Sequence, residues 1–192
     1  MAGKYEFKPD KPQSGVLSHL VLTKKQRRSV LKWTLYALLL LVLSVLQDVL
    51  LSRFRLFGAT TELVPCGIFL ICVLEGAEKG SVFCLCSACF YLFSGSAAGY
   101  HSIVFITALG IGVTLFRQSY LKKTFAATVL CVAAAMLAYE LAIFFISLFL
   151  GMTTFGRIGT HCLTAILSLI PVPVLYRLAN AIGTIGGDAW KE

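Results

Sequence analysis

One carboxylate lies in the middle of a long apolar run, where its presence needs a physical reason. Glu140, with Tyr139 beside it, lies near the centre of the run from about 124 to 151. A charged side chain at mid-bilayer costs at least about 2.5 kcal/mol, so we expect Glu140 to face a bundle interior and to be protonated or paired. Its partner is predicted to be His161, Arg157 or a residue on another helix. A structural polar tie between helices is the favoured interpretation, and transport or proton relay is the alternative.

Other polar residues are expected near the ends of apolar runs. Gln47 and Asp48 precede Arg53 and Arg55 at the end of the first run, where interfacial pairing costs little. Glu62 opens the second run, where a carboxylate complements the helix macrodipole and caps free amides. The candidate intramembrane or partner contacts are therefore Gln47, Asp48, Glu62, Glu140 and His161.

The patterns that enzymes and metal sites require are not found in the sequence. There is no nucleophile elbow, no HExxH and no glycine-rich phosphate loop. His101 and His161 are lone histidines without ligands at helical spacing, and Cys84, Cys86 and Cys89 do not share one helix face. All seven cysteines lie in or beside apolar runs, which predicts reduced packing residues. We therefore predict no enzymatic activity, no metal and no cofactor.

The composition predicts an integral membrane protein. Hydrophobic side chains make up 58% of the 192 residues and charged ones only 14%, with a mean hydropathy of +0.84. A soluble fold would have too little polar surface to cover such an interior, whereas a bilayer supplies apolar surroundings. The net charge of +8 is spread over the ends of apolar runs, which predicts membrane topology and no nucleic-acid binding.

The apolar runs predict an all-α bundle of about six transmembrane helices over residues 30–183. It lies between a basic amino-terminal tail, residues 1–29, and a short carboxy-terminal tail, residues 184–192. The runs cover about 31–51, 62–77, 80–95, 101–117, 124–151 and 158–182. Pro171 and Pro173 predict a bend in the last run. In the fourth run, Ala108 and Gly112 share a face that favours close helix approach, with bundle packing preferred over a partner protein, while Gly110 points away from them.

The distribution of basic residues predicts that both termini are cytoplasmic. With six spans and the amino terminus inside, 14 of the 17 Lys and Arg residues fall on the inner side. Only Arg53, Arg55 and Arg157 fall outside. This excess follows the positive-inside rule and predicts a multi-pass membrane protein with both ends inside.

A series of short motifs over residues 40 to 105 carries a family resemblance. The motifs are Leu46-Gln47, Phe57-Gly58, Glu62-Leu63, Gly76 with Gly80, Gly95-Ser96 and Gly99-Tyr100-His101. In order and spacing they resemble the family of the bacterial rod shape-determining protein MreD. Two positions depart from its pattern: Thr61, where the family usually has proline, and Tyr91, where it usually has aspartate.

The resemblance implies a non-enzymatic scaffold of the cell-elongation machinery that builds lateral peptidoglycan, located in the bacterial cytoplasmic membrane. Its implied partners are an MreC-like membrane protein, the MreB cytoskeleton, RodA and a transpeptidase, that is, a class B penicillin-binding protein. The implied fold is similar to the substrate-binding S component of an energy-coupling-factor vitamin transporter.

That similarity also defines the alternative function, an S component itself. Glu140, His161 and the outer loop around Arg53 and Glu62 would then line a small-molecule pocket. S components carry an alanine-rich motif in their first helix. The first span of this chain is leucine-rich and shows no obvious motif of that kind, so the scaffold function is preferred.

Overall fold

The computed structural model describes residues 24–53, 58–95, 97–121 and 124–185, and within these ranges the chain is helical and contains no β-strand. The predicted tails lie largely outside these ranges. The helices are α1 (Lys24–Val49), α2 (Leu63–Glu75), α3 (Ala77–Phe93), α4 (His101–Tyr120), α5 (Phe125–Phe149), α6 (Ile158–Leu169) and α7 (Val172–Ile185). Short 3-10 turns at Leu51–Arg53 and Phe155–Arg157 follow α1 and precede α6.

Three helices in the described part of the chain are long and apolar enough to cross a membrane, which indicates a membrane protein. They cover Gln26–Val49, His101–Tyr120 and Phe125–Phe149. A fourth span is formed if Phe155–Leu169 and Val172–Ile185 are taken together, across a bend of 47°. This break lies at Pro171, so the predicted bend is confirmed. The predicted count of six spans is not confirmed, because two of the helices are too short to cross a membrane by themselves: α2 has 13 residues and α3 has 17.

The short helix α2 forms the centre of the molecule. Every residue from Leu63 to Leu74 is buried, and α2 contacts each of the other α-helices. A helix that is apolar all round requires apolar surroundings on every side. Because the other helices supply those surroundings, α2 can be shorter than the roughly 20 residues that a lipid-exposed span needs.

Both ends of α2 are completed by side chains from other helices. The Val64 N–H donates to Oε1 of Gln47 on α1 at 3.0 Å, and Arg117 Nη1 on α4 donates to the Val73 carbonyl at 2.6 Å. These bonds satisfy backbone groups that every helix end leaves without an intrahelical partner. The prediction that Glu62 caps α2 is wrong: Glu62 occupies the cap position, but its side chain makes no capping hydrogen bond.

A glycine allows α2 and α3 to form a close hairpin. Gly76, with φ of 86°, separates the two helices. Gly80, one turn into α3, lies so close to α2 that a Cβ atom there would be 2.6 Å from the Cys72 carbonyl oxygen. Only glycine permits this approach of two backbones.

On α4 the predicted packing face is reversed. Gly110 is buried, and a Cβ atom there would lie 2.5 Å from Cys84 Sγ. Ala108 and Gly112 are exposed on the outer surface of the bundle, and nothing lies within 4 Å of a Cβ atom added at Gly112. The preference for bundle packing through Ala108 and Gly112 is therefore wrong.

Candidate functional site

A polar cavity of about 300 Å³ lies where the segment before α2 meets α5 and α6. Three of the five predicted contact residues, Glu62, Glu140 and His161, line it together. We call the end of the bundle that carries this cavity the pocket end. The opposite end, where α1 begins and α2 ends, is called the basic end.

Glu140 and His161 form a direct pair across α5 and α6. Their Oε2 and Nδ1 atoms are 2.9 Å apart, so His161 is the partner among the predicted alternatives. Glu140 is only 3% exposed. Its second oxygen, Oε1, is buried and has no hydrogen-bond partner. Half of this carboxyl group is therefore satisfied and half is left for another donor.

Glu62 reaches the bundle interior because α2 begins deep within it. The Glu62 N–H donates to Ser168 Oγ at 2.7 Å, and Ser168 is ten residues into α6, or about 15 Å along that helix. The Tyr91 hydroxyl hydrogen bonds to the Glu62 carboxyl. Glu62 Oε2 is buried and has no partner.

The electrostatic surroundings of Glu62 favour a proton on its carboxyl group. Glu62 lies between α1 and α2, outside the candidate spans. Burial, with a further contribution from the Glu140 charge, raises the pKa of the Glu62 carboxyl from 4.5 to about 8. Desolvation and a nearby like charge both disfavour the ionised form.

The rest of the cavity wall is rich in hydroxyl groups, and a positively charged side chain lies at the opening. Its remaining lining residues are Gly58, Thr60, Ser147, Met152, Thr153, Arg157, Thr160 and Thr164. Met152 and Arg157 are exposed and belong to the segment between α5 and α6, so they form the rim. The cavity thus has two carboxyl groups in its wall and a guanidinium group at its opening.

The other two predicted contact residues do not line this cavity. Gln47 is buried and completes α2. Asp48 is exposed, and its Oδ2 lies 3.4 Å from Ser44 Oγ. Of the arginines predicted to pair nearby, Arg53 is exposed and Arg55 lies outside the described residues.

A second polar cluster, which sequence reasoning missed, lies at the basic end. Lys32 Nζ is 2.6 Å from Glu75 Oε2, and the Tyr36 hydroxyl donates to Glu75 Oε1 at 2.6 Å. Lys32 and Tyr36 are four residues apart on α1, a spacing that places both on one face. The spacing of Lys32 and Tyr36 was the only sign of this cluster in the sequence. It does not identify their partner, Glu75, which lies 39 residues beyond Tyr36. The cluster fastens α1 to the end of α2.

Two apolar grooves run along the outside of the bundle. The larger, about 880 Å³, lies between α1 and α3; its walls include Trp33, Ala37, Leu41, Cys86 and Phe90, and Glu78 and Lys79 lie at its basic end. We call it the α1–α3 groove.

A smaller groove of about 320 Å³ lies between α4 and α5. Its wall includes the backbone of Gly112 and the small side chains of Ala134 and Ala138. The exposed Ala108 lies on the same face of α4 as Gly112.

Comparison of the chain with family models, with characterised proteins and with solved structures finds no match. Within the described residues, no three His, Cys, Asp or Glu side chains are grouped as metal ligands. The seven cysteines are all free, and four of them are buried.

Proposed function

We propose that this chain is a non-enzymatic membrane scaffold of the bacterial cell-elongation machinery, in the manner of the MreD family that its sequence resembles. The observation that carries the proposal is the α1–α3 groove, an apolar channel on the outer surface of the bundle. The proposed place of action is the bacterial cytoplasmic membrane, with the basic end inside and an overall fold similar to that of S components.

The shape of the α1–α3 groove suits a transmembrane helix. Along α3 its lining runs from Glu78 to Phe90, about 18 Å at 1.5 Å per residue. Trp33 and Phe83 pack together with ring centroids 5.6 Å apart, while Ala37 and Cys86 provide short side chains. Small residues favour helix association in lipid because they let backbones approach closely and increase van der Waals contact.

The partner assigned to this groove is the membrane anchor of an MreC-like protein. Lys79 and Glu78 lie at the basic end of the groove, where charged residues that flank a partner's transmembrane helix would meet them. Through that partner the scaffold would be linked to MreB, to RodA and to the class B penicillin-binding protein.

One observation favours a second candidate function, an S component that binds a small molecule. The cavity at the pocket end contains Glu62, Glu140 and His161, the residues that the alternative places in a pocket. Under this alternative an inner face of small residues would dock the coupling subunit.

Co-purification distinguishes the two candidates. The chain is tagged at its carboxyl terminus, expressed in its native cells and purified in mild detergent, and the bound proteins are identified by mass spectrometry. An MreC-like protein together with RodA or a transpeptidase is the expected result. Recovery of paired ATPases with a coupling subunit would reject the scaffold in favour of uptake.

Matched variants locate the docking surface. Ala37→Phe fills the α1–α3 groove, and Ala108→Phe places the same ring on the exposed face of α4. We expect Ala37→Phe to remove most of the MreC-like partner and Ala108→Phe to retain it. The reverse result would place docking at the exposed face of α4 instead.

A further inference from the structure

Two buried carboxyl oxygens in the cavity at the pocket end lack partners. Glu140 Oε1 and Glu62 Oε2 are both inaccessible to solvent and form no hydrogen bond, and both residues line the same cavity. A buried polar atom without a partner costs about 1–3 kcal/mol, and more when it is charged. Two such acceptors in one cavity indicate that a donor from outside the chain belongs there.

The cavity has the size and polarity of a small-molecule site. Its volume of about 300 Å³ is at the lower end of the range for ligand pockets. Hydroxyl groups of Thr60, Ser147 and Thr160 line it beside the two carboxyl groups. The lining therefore suits a short, polar ligand.

The arrangement of charge selects the ligand chemistry. An ionised carboxylate only accepts hydrogen bonds, and a primary ammonium group offers three donors together with a positive charge that favours the ionised form of both carboxyl groups. Arg157 at the rim offers donors to an anion. We propose that this cavity binds the primary ammonium group of a small zwitterion, with the ammonium between Glu62 and Glu140 and the ligand's anionic group toward Arg157. This inference goes beyond the scaffold proposal, and its free-solute form deepens the second candidate function, which places a small molecule in the same cavity.

Such a group has two sources, a free solute or the headgroup of an aminophospholipid. The exposed apolar side chains around the rim place it near a lipid surface: Phe149 is 97% exposed, Met152 77% and Phe155 66%. A free solute would enter from the aqueous side of the same opening. Both sources present an ammonium group a short distance from an acidic group.

Binding is measured on the full chain by calorimetric titration and by the shift of the thermal unfolding midpoint. In detergent, the probes are O-phosphoethanolamine, ethanolamine, choline and ethylene glycol. In lipid nanodiscs, phosphatidylethanolamine is compared with phosphatidylcholine. We expect saturable binding of the primary amines, with choline at least about tenfold weaker because it has no N–H donor, and no binding of ethylene glycol.

The two sources give different results, and each supports the ammonium site. Saturable binding of O-phosphoethanolamine assigns the site to a free solute. Stabilisation only by phosphatidylethanolamine over phosphatidylcholine assigns it to a lipid headgroup. A response to neither would overturn the proposal.

Variants test the residues. Glu62→Gln and Glu140→Gln should each weaken amine binding by about tenfold or more. Arg157→Gln should weaken O-phosphoethanolamine more than ethanolamine. Asp48→Asn removes an exposed carboxylate outside the cavity and should bind as the parent does.

If Glu140→Gln does not fold, Glu62→Gln decides, and unchanged binding by that variant would reject the site. Loss of amine binding without loss of the co-purified partner separates this inference from the scaffold proposal.

Discussion

At the scale of single residues, the polar side chains of this protein differ in how completely they are satisfied. Gln47 and Arg117 each bond a backbone group at an end of α2, so their role is accounted for by the helix that they complete. Glu62 and Glu140 each retain a buried oxygen without a partner. Unsatisfied buried acceptors are uncommon in folded proteins. The cavity is distinguished because the two residues that carry these carboxyl oxygens line it together.

The raised pKa of Glu62 predicts a pH-dependent stability. Because the folded protein holds this proton more tightly than the unfolded chain, the stabilisation is fully present below pH 4.5 and is lost as the pH rises through about 8. We expect the thermal unfolding midpoint in detergent to fall across this interval. In Glu62→Gln the dependence should be flatter, because the amide cannot ionise.

Neighbouring groups must be separated from this effect. Tyr91 on α3, Glu140 on α5 and His161 on α6 face Glu62 or share its cavity, with Arg157 at the rim. Asp48→Asn, outside the cavity, is the matched control and should retain the parent's slope. Identical slopes in the parent and in Glu62→Gln would assign the pH dependence to those neighbours and not to Glu62.

The Glu140–His161 pair predicts a coupling energy between α5 and α6. Glu140→Leu removes the hydrogen-bond partner of His161 Nδ1, and we expect a loss of about 1–3 kcal/mol of stability with membrane insertion unchanged. His161→Leu leaves the buried Glu140 without its partner and should cost a similar amount. The double variant should cost less than the sum of the two, as measured in a double-mutant cycle by reversible unfolding in mixed micelles. Strict additivity would show that the pair contributes no interaction energy.

At the scale of helices, the hairpin of α2 and α3 depends on one close backbone contact. A Cβ atom at Gly80 would lie 2.6 Å from the Cys72 carbonyl oxygen, and neither backbone can yield without separating the two helices. We expect Gly80→Ala to lower the free energy of unfolding by about 1–3 kcal/mol, the usual cost of overpacking.

Gly112→Ala supplies the matched control for Gly80→Ala. It makes the same change within α4, where nothing lies within 4 Å of the added atom. Alanine has the higher helix propensity, so this variant should be neutral or more stable by up to about 1 kcal/mol. Equal destabilisation by both changes would contradict a specific contact at Gly80.

Much of the helical layout could be predicted from the sequence, because long apolar runs have few alternatives in a membrane protein. Helices lie at all six predicted runs, and the prolines of the last run mark its break. Helical spacing put Gly110 opposite Ala108 and Gly112, but it cannot say which face turns inward. The inward face is fixed by Cys84 on α3, which lies against Gly110.

The candidate site was only partly predictable. Glu140 was expected to have a partner, and His161 was among the alternatives, because a buried charge in lipid requires one. The capping role given to Glu62 failed because Gln47, from a different helix, already accepts from Val64 N–H. Contacts between residues far apart in the chain depend on how helices pack, and apolar periodicity is too weak in uniformly apolar helices to show it.

At the scale of the whole molecule, the two ends of the bundle differ in chemistry. The basic end is closed by the buried pair of Lys32 and Glu75 and by Arg117 at the end of α2. The pocket end contains the polar cavity, bordered by exposed apolar side chains of the segment after α5. A protein with one closed end and one open end is suited to receiving a ligand or headgroup from one side of the membrane only.

That asymmetry predicts a sidedness that labelling can measure. We expect the basic end to be cytoplasmic, because most of the basic residues lie there under the proposed topology. Glu78→Cys and Met152→Cys place thiols at exposed positions of the basic end and the pocket end, respectively. Both are made in a background in which Cys86, Cys89 and Cys162 are replaced by serine, which leaves the four buried cysteines.

A membrane-impermeant maleimide should label Met152→Cys on intact spheroplasts and should label Glu78→Cys only after lysis. The background protein without either new cysteine should stay unlabelled in both cases. Because α2 is too short to cross lipid by itself, the result at Glu78 tests whether α2, enclosed by the other helices, returns the chain to the inner side. Labelling of both positions from outside would show that the chain does not return to the inner side after α1, and the arrangement of six crossings would then be rejected.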